Sequence, residues 1–201
     1  MSGPLRYFKG ARWVAMAGAL LLVSGCGVNN IPAYKQQVNA AWSQVLNEYQ
    51  RRTDLIPNLV ATVKGYAAHE ASVLEAVTDA RAKVTQTRIP PNILTNPKAF
   101  HAFERNQATL GGALSRLMVV TENYPNLKAN QNFLVLQAQL EGTENRIAIA
   151  RRDYILAVQQ YDTELATIPG RWYHSAFYSS YQPIQNFTIS EQAQQAPKVQ
   201  F

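Results

Sequence analysis

Large apolar residues recur at intervals of three and four along almost the whole chain beyond residue 34, and that rhythm predicts helices throughout. The first run is Tyr34, Val38, Ala41/Trp42, Val45 and Tyr49, and it continues in phase through Ile56, Leu59/Val60 and Val63. Residues 51–81, RRTDLIPNLVATVKGYAAHEASVLEAVTDAR, read as helix almost throughout and carry the stripe on to Val73/Leu74, Val77 and then Val84. Pro57 lacks a backbone donor and its ring clashes with the carbonyl of Thr53. Because the stripe keeps phase across it, a kink in one long helix is expected rather than a break. Residues 87–92, TRIPPN, end the run. Asn96-Pro97 then reads as a cap with proline at the first helical position, opening a helix with Phe100, Phe103, Leu110, Leu114 and Leu117 in phase. Gly111-Gly112 inside it disfavour helix by about 1 kcal/mol each relative to alanine, which points to a helix crossing. Residues 123–126, NYPN, form a turn. From 127 to 168 there is no proline, and Leu136, Leu140, Thr143, Ile147, Ala150, Tyr154, Ala157 and Tyr161 make a seven-residue stripe. Pro169-Gly170 stop it. Two helices of roughly 40–50 residues with a shorter one between them give an all-α fold, an elongated antiparallel bundle of long helices.

Charges interrupt these stripes. Arg52, Glu70 and Arg81 fall on or beside the first, and Gln137, Glu144 and Arg151 flank the last at sevenfold spacing. A charge beside a core must be paired or reach water, since stranding it costs several kcal/mol. Arg52, Glu70, Arg81, Glu144 and Arg151 are therefore expected to form a partly buried polar network between helices.

The N-terminus follows a different grammar. Arg6, Lys9 and Arg12 precede an apolar run at 13–23, small residues follow, and Cys26 is the single cysteine. The run is short for a spanning helix, which needs about 20 apolar residues. A basic region, an apolar region and small residues before a cysteine read as a lipoprotein signal, with Cys26 the expected site of diacylglycerol attachment. The competing reading is an uncleaved membrane anchor with an incidental cysteine. The expected organisation is a signal peptide at 1–25, a tether at 26–33, a helical bundle at 34–168, and an aromatic cap and tail at 169–201. Gly27, rather than an aspartate, follows the cysteine, which favours delivery to the outer membrane; the expected location is the cell membrane or outer membrane, facing the periplasm. One cysteine allows no internal disulfide, so packing must supply stability. The formal charge of +6 owes half its value to those three N-terminal cations, and nucleic-acid binding is not expected.

The motifs of the body resemble those of the LemA family. They are RRTDLIPNLV, KGYAAHE and VTDAR within 51–81, then LSRLMVVTENYP at 114–125, LKANQNF at 127–133, LEGTENRIAIARRDY at 140–154 and PKVQF at 197–201. The resemblance implies a membrane-anchored bacterial helical bundle. It supplies no activity, although relatives are associated with envelope integrity and with membrane organelles in magnetotactic bacteria. Asparagines usual in the family after Tyr154 and Tyr161 are replaced here by Ile155 and Asp162.

Little in the sequence suggests catalysis. His69-Glu70 begins like a zinc-protease motif, but Val73 stands where the second histidine belongs. The residues three before His69, His101 and His174 are Tyr66, Lys98 and Arg171, so the Glu-x-x-His pairs of a di-iron bundle are missing. No metal or cofactor is expected. The expectation is a lipid-anchored interaction or scaffold protein, not an enzyme, with the membrane, a protein partner or further copies of itself as partners. The alternative is an envelope hydrolase or its activator centred on His69 and Glu70. Residues 171–181, RWYHSAFYSSY, read as a bundle cap or as a membrane or partner surface. Residues 182–195 are polar and expected to be mobile; the end at Val199 and Phe201 either docks elsewhere or returns to the bundle.

Overall fold

The computed structural model describes residues 27–188. The signal-like segment, Cys26 and the PKVQF motif lie outside that range. Six helices and no strand occur among the described residues: α1 (Asn30–Lys64), α2 (Ala71–Gln86), α3 (Pro97–Thr121), α4 (Pro125–Lys128), α5 (Gln131–Ala166) and α6 (Gly170–Phe177), with a 3-10 turn at Ile93–Thr95. The fold is an all-α bundle, as the periodicity predicts. Helices α1 and α5 pack along one another over most of their length, while α2 lies chiefly on α3. Three cross-links from α1 to α5, Asn30 to Glu164, Glu48 to Arg146 and Arg52 to Glu144, give the pair its antiparallel register.

Helix α1 runs through Pro57 without interruption. It ends earlier than expected, at Lys64, so that residues 51–81 are two helices rather than one. Gly65 caps α1 through an amide bond to the Ala61 carbonyl, and the chain turns over 65–70. Tertiary contacts fix that turn: Ala67 is wholly buried, Asn130 donates to the Tyr66 hydroxyl at 2.8 Å, and Tyr124 donates to Glu70 at 2.9 Å. Three anchored side chains outweigh a modest helical preference. At the other end α1 starts at Asn30, with Ile31 fully buried, so residues 30–33 belong to the bundle and not to a tether. Asn96 caps α3 by accepting from the Ala99 amide at 3.2 Å, with Pro97 at the first position. The last long helix begins at Gln131 rather than Leu127, because Asn130 accepts from the Phe133 amide at 3.1 Å and caps a new start. Its buried stripe follows expectation from Leu140 to Tyr154 and again at Tyr161, with Val158 buried in place of Ala157, Leu136 only half-buried, and Leu165 extending it.

The core is divided. One apolar cluster joins the start of α1 to the end of α5, with Trp42 at its centre: ring centroids of Phe100, Phe103, Tyr154 and Phe187 lie 5.7, 5.2, 5.5 and 6.2 Å away. The second joins Ile56, Leu59 and Val63 to Leu110, Leu114, Leu117, Phe133 and Leu140. Phe187 shows that the stretch beyond 181 is not the free polar tail expected from composition. Residues 182–188 lie against the bundle. Ile184 and Phe187 are buried, Tyr154 donates to the Gln185 carbonyl at 2.6 Å, Tyr161 to that of Gln182 at 3.1 Å, and the Gln185 amide to the Leu94 carbonyl at 2.7 Å.

Candidate functional site: a polar belt and its groove

Between the two apolar clusters lies a layer of buried polar side chains, Glu48, Arg52, Thr53, Gln107 and Thr143. Each falls on the inward stripe of its helix, so helical periodicity alone brings them to one level. Arg52, only 3% exposed, is the hub. One guanidinium nitrogen donates to Glu144 at 3.0 Å; the other donates to the Gln107 carbonyl at 3.1 Å and to its side-chain oxygen at 2.6 Å. Its Nε finds no acceptor among the described residues. The Tyr49 ring lies 5.0 Å from the guanidinium carbon, within cation–π range. A second pair runs alongside: Arg146 donates to Glu48 at 3.0 Å and to Thr143 at 2.8 Å. Three helices are thus joined at one level by charge-assisted bonds.

Of the five expected network members, Arg52 and Glu144 are in direct contact and the other three stand apart. Arg81 donates its Nε to the Thr53 carbonyl at 3.2 Å, reaching the belt through backbone. Arg151 stacks over Phe187 with 4.4 Å between guanidinium carbon and ring centroid. Glu70 lies in the far turn, held by Tyr124. Residues 70 and 81 bracket eleven steps of helix, about 16 Å of rise, so Glu70, His69 and Arg81 do not converge on one cleft. His69 is exposed. The belt's other members, Gln107, Glu48 and Arg146, were not singled out by sequence. Gln107 carried a signal: it fills the seven-residue gap between Phe103 and Leu110 in the α3 stripe, where a glutamine replaces the expected apolar residue.

Beside the belt opens a groove of about 650 Å³, lined among others by Tyr49, His101, Glu104, Arg105, Glu144 and Arg151. Glu104 is committed, to His101 at 2.9 Å and to the Thr188 amide at 3.4 Å. Burial pushes the Tyr49 hydroxyl above its ordinary pKa against the pull of Arg151 and Arg52. Guanidinium groups stay charged, so Arg52 and Arg151 give the groove a fixed positive charge beside the carboxylates of Glu104 and Glu144. Among the described residues no group of three or more His, Cys, Asp or Glu could hold a metal ion. No described helix is long and apolar enough to cross a membrane.

These features define a helical bundle locked by an internal charged layer, and comparison with known proteins gives it a family. The profile of the LemA family matches residues 41–201, and the chain belongs to that family. It is similar to magnetosome protein MamQ 2 of Paramagnetospirillum magneticum, 28% identical over 154 residues, and to magnetosome protein MamQ of Magnetospirillum gryphiswaldense, 24% identical over 154 residues. Each alignment covers 69% of this chain and 56% of the relative, so the chain spans little more than half the length of the curated relatives it matches.

Proposed function

We propose that the protein is a lipid-anchored scaffold of the bacterial envelope, facing the periplasm from the cell membrane or outer membrane and working through contacts rather than chemistry. The observation that carries this reading is the use made of its ionisable groups. Arg52 with Glu144, Glu48 with Arg146, Glu70 with Tyr124 and Glu104 with the Thr188 amide each tie one piece of the chain to another. Residues so committed make a rigid body, and a rigid body is what a scaffold presents to partners. The family and its magnetosome relatives support association with a membrane compartment. Cys26 is the proposed lipid attachment point, with two or more acyl chains giving a stable hold.

Two measurements test the proposal. Intact mass after detergent extraction should give a chain beginning at acylated Cys26; a chain starting at Met1 without lipid refutes lipidation. Photo-crosslinking in cells from probes at exposed Val119 and Leu156 should capture a reproducible envelope protein or further copies of this chain. Absence of any crosslink, together with lost function in a stably folded His69→Ala or Glu70→Gln variant, would overturn the scaffold reading in favour of a hydrolase.

A further inference from the structure

Among the described residues, three of the four most exposed large apolar side chains lie within ten residues of one another: Ile168 at 64%, Trp172 at 62% and Phe177 at 70%. They occupy α6 and the turn that enters it. The inner side of this element is accounted for, since Tyr173 and Tyr178 pack on the core and His174 bonds the Tyr181 carbonyl at 2.8 Å. Nothing in the bundle covers the outer three. Exposed apolar side chains this close together along the chain, at one end of the bundle, mark a contact surface.

The start of the described chain identifies what it touches. A Cβ placed on Gly27 would lie 3.3 Å from the Tyr173 ring and 3.8 Å from Pro169, so the chain enters the bundle against α6 itself. The apolar run at 13–23 ends four residues earlier, and Cys26 is one residue away. Four residues span at most about 14 Å. Whichever of the two holds the protein to a bilayer, the edge of α6 at Pro169 and Tyr173 lies within roughly that distance of the anchor. Tryptophan is the residue type that settles at headgroup depth, with a cation reaching phosphate, and exposed Arg171 adjoins Trp172. The acids nearby are engaged elsewhere: Glu164 accepts from Asn30 at 3.2 Å and Asp162 from the Ile184 amide at 3.2 Å.

We propose that the α6 end of the bundle is a membrane-docking surface, with Ile168, Trp172 and Phe177 seated in the interfacial layer of the bilayer to which the N-terminus is anchored. The proposal rests on the membrane anchoring inferred above. It adds a second point of attachment, which fixes the orientation of the bundle on the bilayer.

The test uses the full chain, extracted from bacterial envelopes and reconstituted into phosphatidylethanolamine–phosphatidylglycerol vesicles containing a nitroxide-labelled lipid. Trp13→Phe leaves Trp42, buried in the core, and Trp172 as the emitters; a further Trp172→Phe variant isolates Trp42 by subtraction. The expected result is loss of most Trp172 emission with the nitroxide near the headgroup, less loss with it deep in the chains, and no loss from Trp42. Flotation with vesicles without Trp172 quenching overturns the docking while leaving the anchor intact. If Trp172 is unquenched and its emission shifts to shorter wavelength as protein density rises, a second copy covers the patch and the proposal fails. Failure to float overturns anchor and docking together. Trp172→Ser with Phe177→Ser should leave the melting temperature unchanged, which separates docking from folding.

Discussion

Arg52 offers a measurable test of what the polar belt does. Replacing it with methionine keeps most of the side-chain volume and removes the charge and all five N–H donors. The side-chain oxygen of Gln107 then remains inside the bundle without its partner, while the Gln107 carbonyl keeps its place in the helix ladder. A buried polar group stranded in this way costs about 1–3 kcal/mol. Glu144 is different, because its side chain is 46% exposed and its carboxylate turns to water once the arginine is gone. A solvent-exposed partner of this kind contributes about 0–1 kcal/mol. Arg52→Met should therefore destabilise by about 1–3 kcal/mol, and Glu144→Gln by at most about 1 kcal/mol. For a domain of this size that separates the two melting temperatures by several degrees, at roughly 2–4 °C per kcal/mol. Urea unfolding followed by far-UV circular dichroism, extrapolated to water, measures both. Adding Gln107→Leu to Arg52→Met should recover part of the loss. Equal costs for the two single variants would refute the reasoning, since they would place the energy in the ion pair rather than in the bonds to Gln107.

The remaining predictions concern glycine and titration. Gly170→Ala should destabilise by about 1–3 kcal/mol, because a Cβ there collides with the Glu164 carbonyl oxygen and lies 2.8 Å from its carboxylate; an unchanged melting temperature would show that the turn into α6 yields freely. Gly112→Ala should stabilise by about 0.5–1 kcal/mol, since nothing lies within 4 Å of the added carbon; a lower urea midpoint would contradict this. Asp162→Asn should raise stability at neutral pH and flatten its dependence on pH. Burial raises the Asp162 pKa, opposed by the Ile184 amide and Lys35. Its favourable contribution is thus complete below the unfolded-state value of about 3.9 and is lost as pH rises through the raised folded value. Asparagine still accepts from the amide without a charge to desolvate, and a melting temperature that falls more at pH 7 than at pH 4 would refute this account. Tyr161, pushed up to about 12 chiefly by burial, should stay protonated in the fold after unfolded tyrosines ionise near 10. Stability should then fall through that alkaline window, and Tyr161→Phe should lessen the fall by as much as its lost bond to Gln182 permits.

The bundle, its long α1–α5 pair and the caps at Asn96 and Pro97 were legible because periodicity and capping chemistry are local. Arg52 and Glu144 could be flagged for the same reason, as charges on an apolar stripe. Pairing was not legible. Whether Arg52 meets Glu70 or Gln107 depends on helix register, which is set only when the turn at 65–70 folds α2 back. The seemingly polar stretch at 182–188 illustrates the opposite limit. Ile184 and Phe187 lack any repeating pattern, and only the finished surface of α3 and α5 gives them a place to bury. Gly111-Gly112 suggested a helix crossing for both residues; only Gly111 has a neighbour, with Arg52 Nη1 3.7 Å from its projected Cβ.

The antiparallel pairing of α1 with α5 also has a mechanical meaning. A helix of 35 residues is about 52 Å long, so the turn at 65–70 stands that far along the axis from the α6 end. A load applied between those ends runs along both helices side by side, and the belt and both apolar clusters hold the pair in register along its length. The molecule is built as a strut. Its two ends are held about 52 Å apart by a pair of helices cross-linked along their length.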